Sequence, residues 1–176
     1  MKKVILIVII ILTICTLNNK KEELIIPKEA IRFRVIANSD EKEDQDTKLL
    51  VRDTIQKQMQ DDLKETNNLI EARTVLKDNV KNYDKLVKTT LNNNKIEANF
   101  NVNYGMNYFP EKVYKGVKYE EGYYESLVVT LGSGGGNNWW CVLFPPLCLL
   151  EAEETEDTTE VEYKFFISEL IDKYLK

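Results

Sequence analysis

The residues of this chain that could do chemistry are concentrated between Gly132 and Cys148. The glycine-rich run at residues 132–136 has the composition of loops that cradle phosphates. A P-loop, however, continues with a lysine and a hydroxyl residue, whereas here Asn137, Asn138 and a tryptophan pair follow. The run therefore predicts a flexible turn between two strands and not a nucleotide site.

The chain has no histidine. This excludes Ser-His-Asp triads, Cys-His dyads and H-E-x-x-H zinc sites. Cys141 and Cys148 flank a double proline and could form a disulfide outside the cytoplasm, or could remain two reduced, buried thiols. Two cysteines alone cannot build a structural zinc site, so we expect neither a metal nor a cofactor.

Carboxylates could still do acid-base chemistry without histidine, as a pair of them does in glycosidases. No motif singles out such a pair. The acidic group at Asp40, Glu43, Asp44 and Asp46 is most simply the start and solvated face of a helix. We therefore predict that the chain is not an enzyme, with a cell-wall (peptidoglycan) hydrolase using paired carboxylates as the alternative.

The acidic residues are unevenly distributed along the chain. The 176 residues carry a formal net charge of −5, and residues 151–160 contain six acidic and no basic side chains. That run predicts a solvated connector. No basic patch or basic helix stands out elsewhere, so nucleic acid is not an expected partner.

The N-terminus has the pattern of an export signal. Met1-Lys2-Lys3 precedes an uncharged apolar run from Val4 to Leu17. As a helix this run reaches about 21 Å, which is short for a bilayer core of about 30 Å. We predict a signal peptide or weak signal anchor at residues 1–23, with transient or weak membrane association; lipidation at Cys15 is disfavoured by the bulky Ile14 before it.

Periodicity predicts the elements that position these residues. A period of two predicts a strand with one buried face at Ile31–Ala37, and the following Asn38-Ser39-Asp40 are residue types that cap helices. Spacings of three and four predict amphipathic helices. Further predicted strands lie at residues 96–104, 109–114, 123–131 and 139–144, and predicted helices at about 41–63, 70–91 and 161–175.

This order predicts an α+β fold, an antiparallel sheet of about four to five strands with the amphipathic helices packed on one face. We expect residues 24–150 to form this domain, and residues 151–176 to form the acidic connector and a C-terminal amphipathic helix. The adjacent Trp139 and Trp140 lie on a predicted strand and must therefore point to opposite faces of the sheet.

Several stretches resemble one known family, the stage II sporulation protein R family. The resemblance runs in order from Ile31 to Leu149. Its most specific stretch is the block from Asn138 to Cys148. The other matching stretches are IRFRVIANSD at 31–40, DQ at 44–45, VRD at 51–53, VNYG at 102–105, FPEKVY at 109–114 and GYYESL at 122–127.

The resemblance implies a signalling function. Members of this family are exported from the forespore into the space between the forespore and mother-cell membranes. There they activate a membrane-embedded aspartic protease of the mother cell, which processes the precursor of the early mother-cell sigma factor. The chain departs from the family in its weak cleavage site and in the acidic run after Leu150.

A protein that acts by contact needs a recognition surface, and exposed tryptophan is a common energetic anchor of such surfaces. We therefore predict partner contacts at Trp139, Trp140 and Phe144. The loop formed by Asn38, Ser39 and Asp40 is the second predicted contact.

Overall fold

The computed structural model describes residues 24–148 and 159–175. The predicted export segment and residues 151–158 of the predicted connector lie outside the described residues. Within the described ranges, no helix is both long and apolar enough to cross a bilayer. The elements are β1 (Leu24–Ile25), β2 (Ile31–Ile36), α1 (Lys42–Leu63), α2 (Leu69–Asn93), β3 (Phe100–Phe109), β4 (Lys112–Tyr114), β5 (Val117–Tyr119), β6 (Gly122–Leu131), β7 (Asn138–Phe144) and α3 (Glu160–Leu175).

The α+β class is confirmed, but the prediction of one purely antiparallel sheet is wrong. The structure has a four-stranded sheet in the order β3-β6-β2-β7 and a three-stranded sheet in the order β1-β5-β4. Each sheet contains one parallel pair, β2 with β6 and β1 with β5. Sequence periodicity identifies a strand but not its neighbours, because pairing is decided by long-range packing.

The position of β2 causes the mixed pairing of the larger sheet. β6 and β7 follow each other in the chain, yet β2 lies between them, parallel to β6 and antiparallel to β7. The segment from β6 to β7 must therefore pass over the end of β2. β3 and β6 pair antiparallel along their whole lengths, from Phe100 opposite Leu131 to Phe109 opposite Gly122.

Some element boundaries differ from the predictions. β3 begins at Phe100 and not at Ile96, and it ends just before Pro110, which has no N–H for a ladder. α1 has Glu41 at its N-cap position without a side-chain cap. α2 extends to Asn93, and Lys95 just after it has a left-handed backbone, with φ of 58°.

Both faces of the four-stranded sheet are buried at β2, which corrects the prediction that this strand has one buried face. Phe33 and Val35 of β2 pack under α1 and α2 in the first core cluster. Because side chains alternate along a strand, Arg32 points to the other face, where it is also buried. That face holds a second cluster, which includes Phe109, Tyr119, Trp140, Tyr163 and Ile167.

The second cluster also corrects the prediction that all helices pack on one face. Tyr163 and Ile167 place the C-terminal helix α3 together with the small sheet on the face opposite α1 and α2. The hydroxyl oxygens of Tyr119 and Tyr163 lie 3.0 Å apart, in a hydrogen bond between the small sheet and α3. The fold thus has three layers, with the four-stranded sheet in the middle.

Candidate functional site

The glycine-rich loop, residues 132–137, crosses the carboxyl end of β2. The backbone N–H of Gly136 donates to the carbonyl of Ala37, and that of Gly135 donates to the carbonyl of Asn38, each at 3.0 Å. A Cβ atom on Gly136 would clash with the backbone of Ser39. The predicted turn between two strands is thus a tight crossover, and its glycine content follows from close backbone approach.

The predicted contact residues Asn38, Ser39 and Asp40 hold this crossover. The backbone N–H of Ser133 donates to Asn38 Oδ1 at 3.0 Å, and that of Asn137 donates to Asp40 Oδ1 at 2.6 Å. The side chain of Asn38 in turn donates to Asp44 Oδ2 at 2.9 Å. These three residues therefore have a structural task that the sequence did not reveal.

Asp44 is the carboxylate that anchors the same loop to α1. Hydrogen bonds from the side chains of Ser39 and Asn38 lower the pKa of Asp44. Ser39 Oγ also accepts from the backbone N–H of Glu41 at 3.2 Å. The residues predicted to cap the helix thus bond to Asp44, to the backbone N–H of Glu41 and to the crossing loop.

The two tryptophans lie on opposite faces of β7, as their adjacent positions predict. Trp139 packs edge-on against Phe33, with ring centroids 5.8 Å apart, and the Arg52 guanidinium lies 5.2 Å from its ring. Trp140 is only 9% exposed and packs edge-on against Phe109 and Tyr119, each at 5.4 Å. The buried Trp140 leaves a partner little surface to contact.

Phe144 is also in the core. It is 2% exposed and packs edge-on against Tyr174 of α3 at 5.1 Å between ring centroids. Among the three predicted aromatic contacts, only the half-buried Trp139 offers appreciable surface to a partner.

Arg32 is a feature that sequence reasoning missed. The side chain is fully buried, and its guanidinium carbon lies 3.4 Å from the ring centroid of Tyr124 and 4.9 Å from that of Trp140. Among the described residues, none accepts a hydrogen bond from its three nitrogens. Burial lowers the pKa of Arg32 to about 10, so the group is still a cation at neutral pH.

Cys141 and Cys148 are joined by a disulfide in the structure, with their Cα atoms 5.5 Å apart. The bond closes the chain around Pro145-Pro146 directly after β7. Gln56 of α1 donates from Nε2 to the carbonyl of Cys148 at 3.1 Å. The end of β7 is therefore tied both to itself and to α1.

A cleft of about 320 Å³ opens between α1, β4 and the start of β7. We call it the tryptophan cleft. Lys112 reaches into it, with its ammonium 5.2 Å from the Trp140 ring. None of the described lining residues is acidic. They are Arg52, Gln56, Lys112, Tyr114, Trp139, Trp140 and Cys148.

The tryptophan cleft is rich in hydrogen-bond donors. Among the described residues, neither indole N–H has a hydrogen-bond partner, and Arg52 and Lys112 add two cations. Arg52 also forms a salt bridge with the neighbouring Asp53, with 2.6 Å between Arg52 Nη2 and Asp53 Oδ1. Donors and cations without a lining carboxylate suit a ligand that carries carboxylates.

Comparison with known proteins identifies the family. A sequence model described as stage II sporulation protein R matches residues 27–154. The stage II sporulation protein R of Bacillus subtilis (strain 168) is 35% identical over 158 residues, which cover 90% of this chain and 70% of that relative. The chain belongs to the stage II sporulation protein R family. No solved structure matches it.

Membership in this family confirms the resemblance stated from the sequence and places the chain among sporulation proteins. The matched range includes β2, the crossing loop, the tryptophan cleft and the disulfide. The contact role of the predicted residues stays a prediction.

The alternative function, a hydrolase with paired carboxylates, requires a cleft that holds two carboxylates, one of them a general acid. One cleft is lined by both Asp44 and Glu97. A general acid needs a raised pKa, whereas the pKa of Asp44 is lowered by its hydrogen bonds. No observation on the described residues therefore favours this alternative.

Proposed function

We propose that this chain is an exported sporulation signal that activates a membrane-embedded aspartic protease of the mother cell by direct contact. In this proposal it acts in the space between the forespore and mother-cell membranes. The activated protease processes the precursor of the early mother-cell sigma factor. The observation that carries the proposal is membership in the stage II sporulation protein R family over residues 27–154.

Two further observations support export. The lysines before the uncharged run at Val4–Leu17 have the pattern of an export signal. The disulfide between Cys141 and Cys148 fits an oxidising compartment outside the cytoplasm, because cytosolic thiols are kept reduced.

We propose the tryptophan cleft as the surface that meets the protease. Its donors, the Arg52 guanidinium, the Lys112 ammonium and the indole N–H of the half-buried Trp139, would receive an acidic side chain of the protease. Activation requires that this contact be tighter in the competent state of the protease than in its resting state. The signal itself then makes and breaks no covalent bond.

Co-expression of the chain with the protease and the sigma-factor precursor in a non-sporulating host tests the proposal. We expect cleavage of the precursor only when all three proteins are present. Cleavage without the chain, or no cleavage with all three proteins folded and co-localised, would count against it.

The contact surface has its own test in the same host. Arg52→Gln/Lys112→Gln removes both cations of the cleft. We expect precursor cleavage to fall about tenfold, because the acidic side chain of the protease loses both of its charged partners. The matched control Lys81→Gln/Lys88→Gln removes two exposed lysines of α2 and should leave cleavage unchanged. Equal cleavage by both double variants would remove the tryptophan cleft from the proposal while leaving the activation itself standing.

A further inference from the structure

The outer edge of β3 is an open strand edge. β3 is a ten-residue strand that pairs with β6 on one side over its full length. Within residues 24–148 and 159–175, no strand pairs with its other side. Asn101, Asn103, Met106 and Tyr108 are exposed along it. Arg34 Nη1 donates to the carbonyl of Tyr108 at 3.0 Å, so the outward N–H and C=O groups before Tyr108 are the ones accessible to another strand.

This edge lacks the usual protection against strand pairing. Natural edge strands are blunted by charged side chains, prolines, bulges or short length. Phe100–Phe109 contains no charged residue and no proline. Its register with β6 runs without a bulge. A long, regular and uncharged edge is a surface suited to accept a strand.

The side chains define what such a strand must look like. Phe100, Val102 and Tyr104 lie on the face that packs toward the helices. On the other face the alternate positions 101, 103 and 107 are asparagines, and Asn101 and Asn103 are exposed. An added strand continues both faces only if it too alternates apolar residues with residues that hydrogen-bond.

β3 itself has this alternation, and we propose that it pairs antiparallel with β3 of a second copy of the chain. A twofold axis through the middle of the strand, near Tyr104, would join two four-stranded sheets into one. About this axis the first half of β3 opposes the second half of the other copy, and because the strand is uncharged the two meet without repulsion. Asparagine amides donate and accept, so the asparagine rows of two copies match.

This self-matching pattern favours a second copy over a foreign strand. A partner of different sequence requires complementarity only to β3 and gives no reason for the two halves of β3 to match each other. In an isologous pairing each residue is opposed to the residue equally far on the other side of the axis, so the two halves of the strand must be compatible, as Val102 with Met106 and Asn101 with Asn107 are.

Sedimentation equilibrium of the full chain, kept in solution with a mild detergent, tests this inference. We expect a monomer–dimer equilibrium. Asn103 is the exposed polar residue nearest the middle of the strand, so Asn103→Lys should weaken the dimer about tenfold or more through like-charge repulsion. Asn92→Lys, the same change at an exposed asparagine near the end of α2, should leave the dimer unchanged.

A charge-swap experiment separates repulsion from misfolding. Asn103→Asp alone should weaken the dimer as Asn103→Lys does, and mixing the two variants should restore association through opposite charges. A wild-type chain that stays monomeric at every concentration, or weakened variants that do not recover on mixing, would overturn the inference. Neither measurement involves the protease, so the result is independent of the proposed function.

Discussion

At one edge of the four-stranded sheet, β7 is covered along Cys141–Phe144 and closed by a disulfide and two prolines. At the other edge, β3 is uncharged, and Asn101, Asn103, Met106 and Tyr108 along it are exposed. Both strands are rich in apolar residues, so the difference lies in what surrounds them. The β7 edge is therefore built for stability, whereas the β3 edge is left available for pairing.

The largest expected effect is at the closed edge. Trp140→Ala removes the side chain that packs against Phe109 and Tyr119. We expect the free energy of unfolding to fall by about 3–5 kcal/mol, because a buried aromatic leaves a cavity when truncated. Urea denaturation of the variant and the wild type measures this loss. A loss below about 1 kcal/mol would contradict the assignment of Trp140 to the core.

The disulfide is the next largest contribution to the closed edge. Cys141→Ala/Cys148→Ala should lower the free energy of unfolding by about 2–3 kcal/mol, because the bond closes a short loop and constrains the unfolded chain. The matched measurement is wild type with and without a reductant, which should show a loss of similar size. If the double variant and the reduced wild type both unfold at the urea midpoint of the oxidised wild type, the disulfide does not stabilise this edge.

The closed edge also covers a buried charge, and pH can reveal it. The folded-state pKa of Arg32, about 10, lies below its ordinary value of 12.5. The folded protein therefore binds this proton less tightly than the unfolded chain, so the charge lowers stability below pH 10. This penalty shrinks as the pH rises above 10.

We therefore expect Arg32→Met to raise the free energy of unfolding at pH 7 by about 1 kcal/mol, because an apolar group of similar volume needs no hydrogen bonds. The gain should diminish above pH 10. Urea denaturation at pH 7 and pH 10.5 provides the comparison. A clear destabilisation at pH 7 would show that stacking on Tyr124 and Trp140 outweighs the cost of burying the charge.

The smallest effect is expected at the open edge. Met106 is 63% exposed, so Met106→Ala should change the free energy of unfolding of the monomer by no more than about 0.5 kcal/mol. Urea denaturation at a concentration where the chain is monomeric measures it. A loss as large as that of Trp140→Ala would mean that the two edges do not differ as described.

The sequence predicted local features well and neighbours poorly. Residue spacing alone predicts the three helices and the strand β6. The adjacency of the two tryptophans predicts that they lie on opposite faces of their strand. β2 lies between β6 and β7, and the only local sequence feature related to this arrangement is the glycines of the crossing loop. Those glycines were assigned to a flexible turn because composition does not show what a backbone approaches.

The predicted site divides in the same way. Trp140 and Phe144 lie in an aromatic, apolar block that predicts a recognition surface, but the composition of the block does not show whether other elements cover it. The packing of α3 and the small sheet decided that Trp140 is buried, and Phe144 is buried in the first core cluster, where it also packs against Tyr174 of α3. Arg32 was missed because an arginine alternating with apolar residues normally faces water, and here the same layer covers it.

By itself, the sequence determined the α+β class, the three helices, the four strands of the larger sheet, and the family, because periodicity and motifs are properties of consecutive residues. The tertiary structure alone decided which strands are neighbours, which edge is closed and which aromatic residues are buried. These depend on contacts between residues far apart in the chain, such as Arg32 with Tyr124 and Gly136 with Ala37. The free energy of such contacts is set by the whole packed structure, and a local pattern does not contain it.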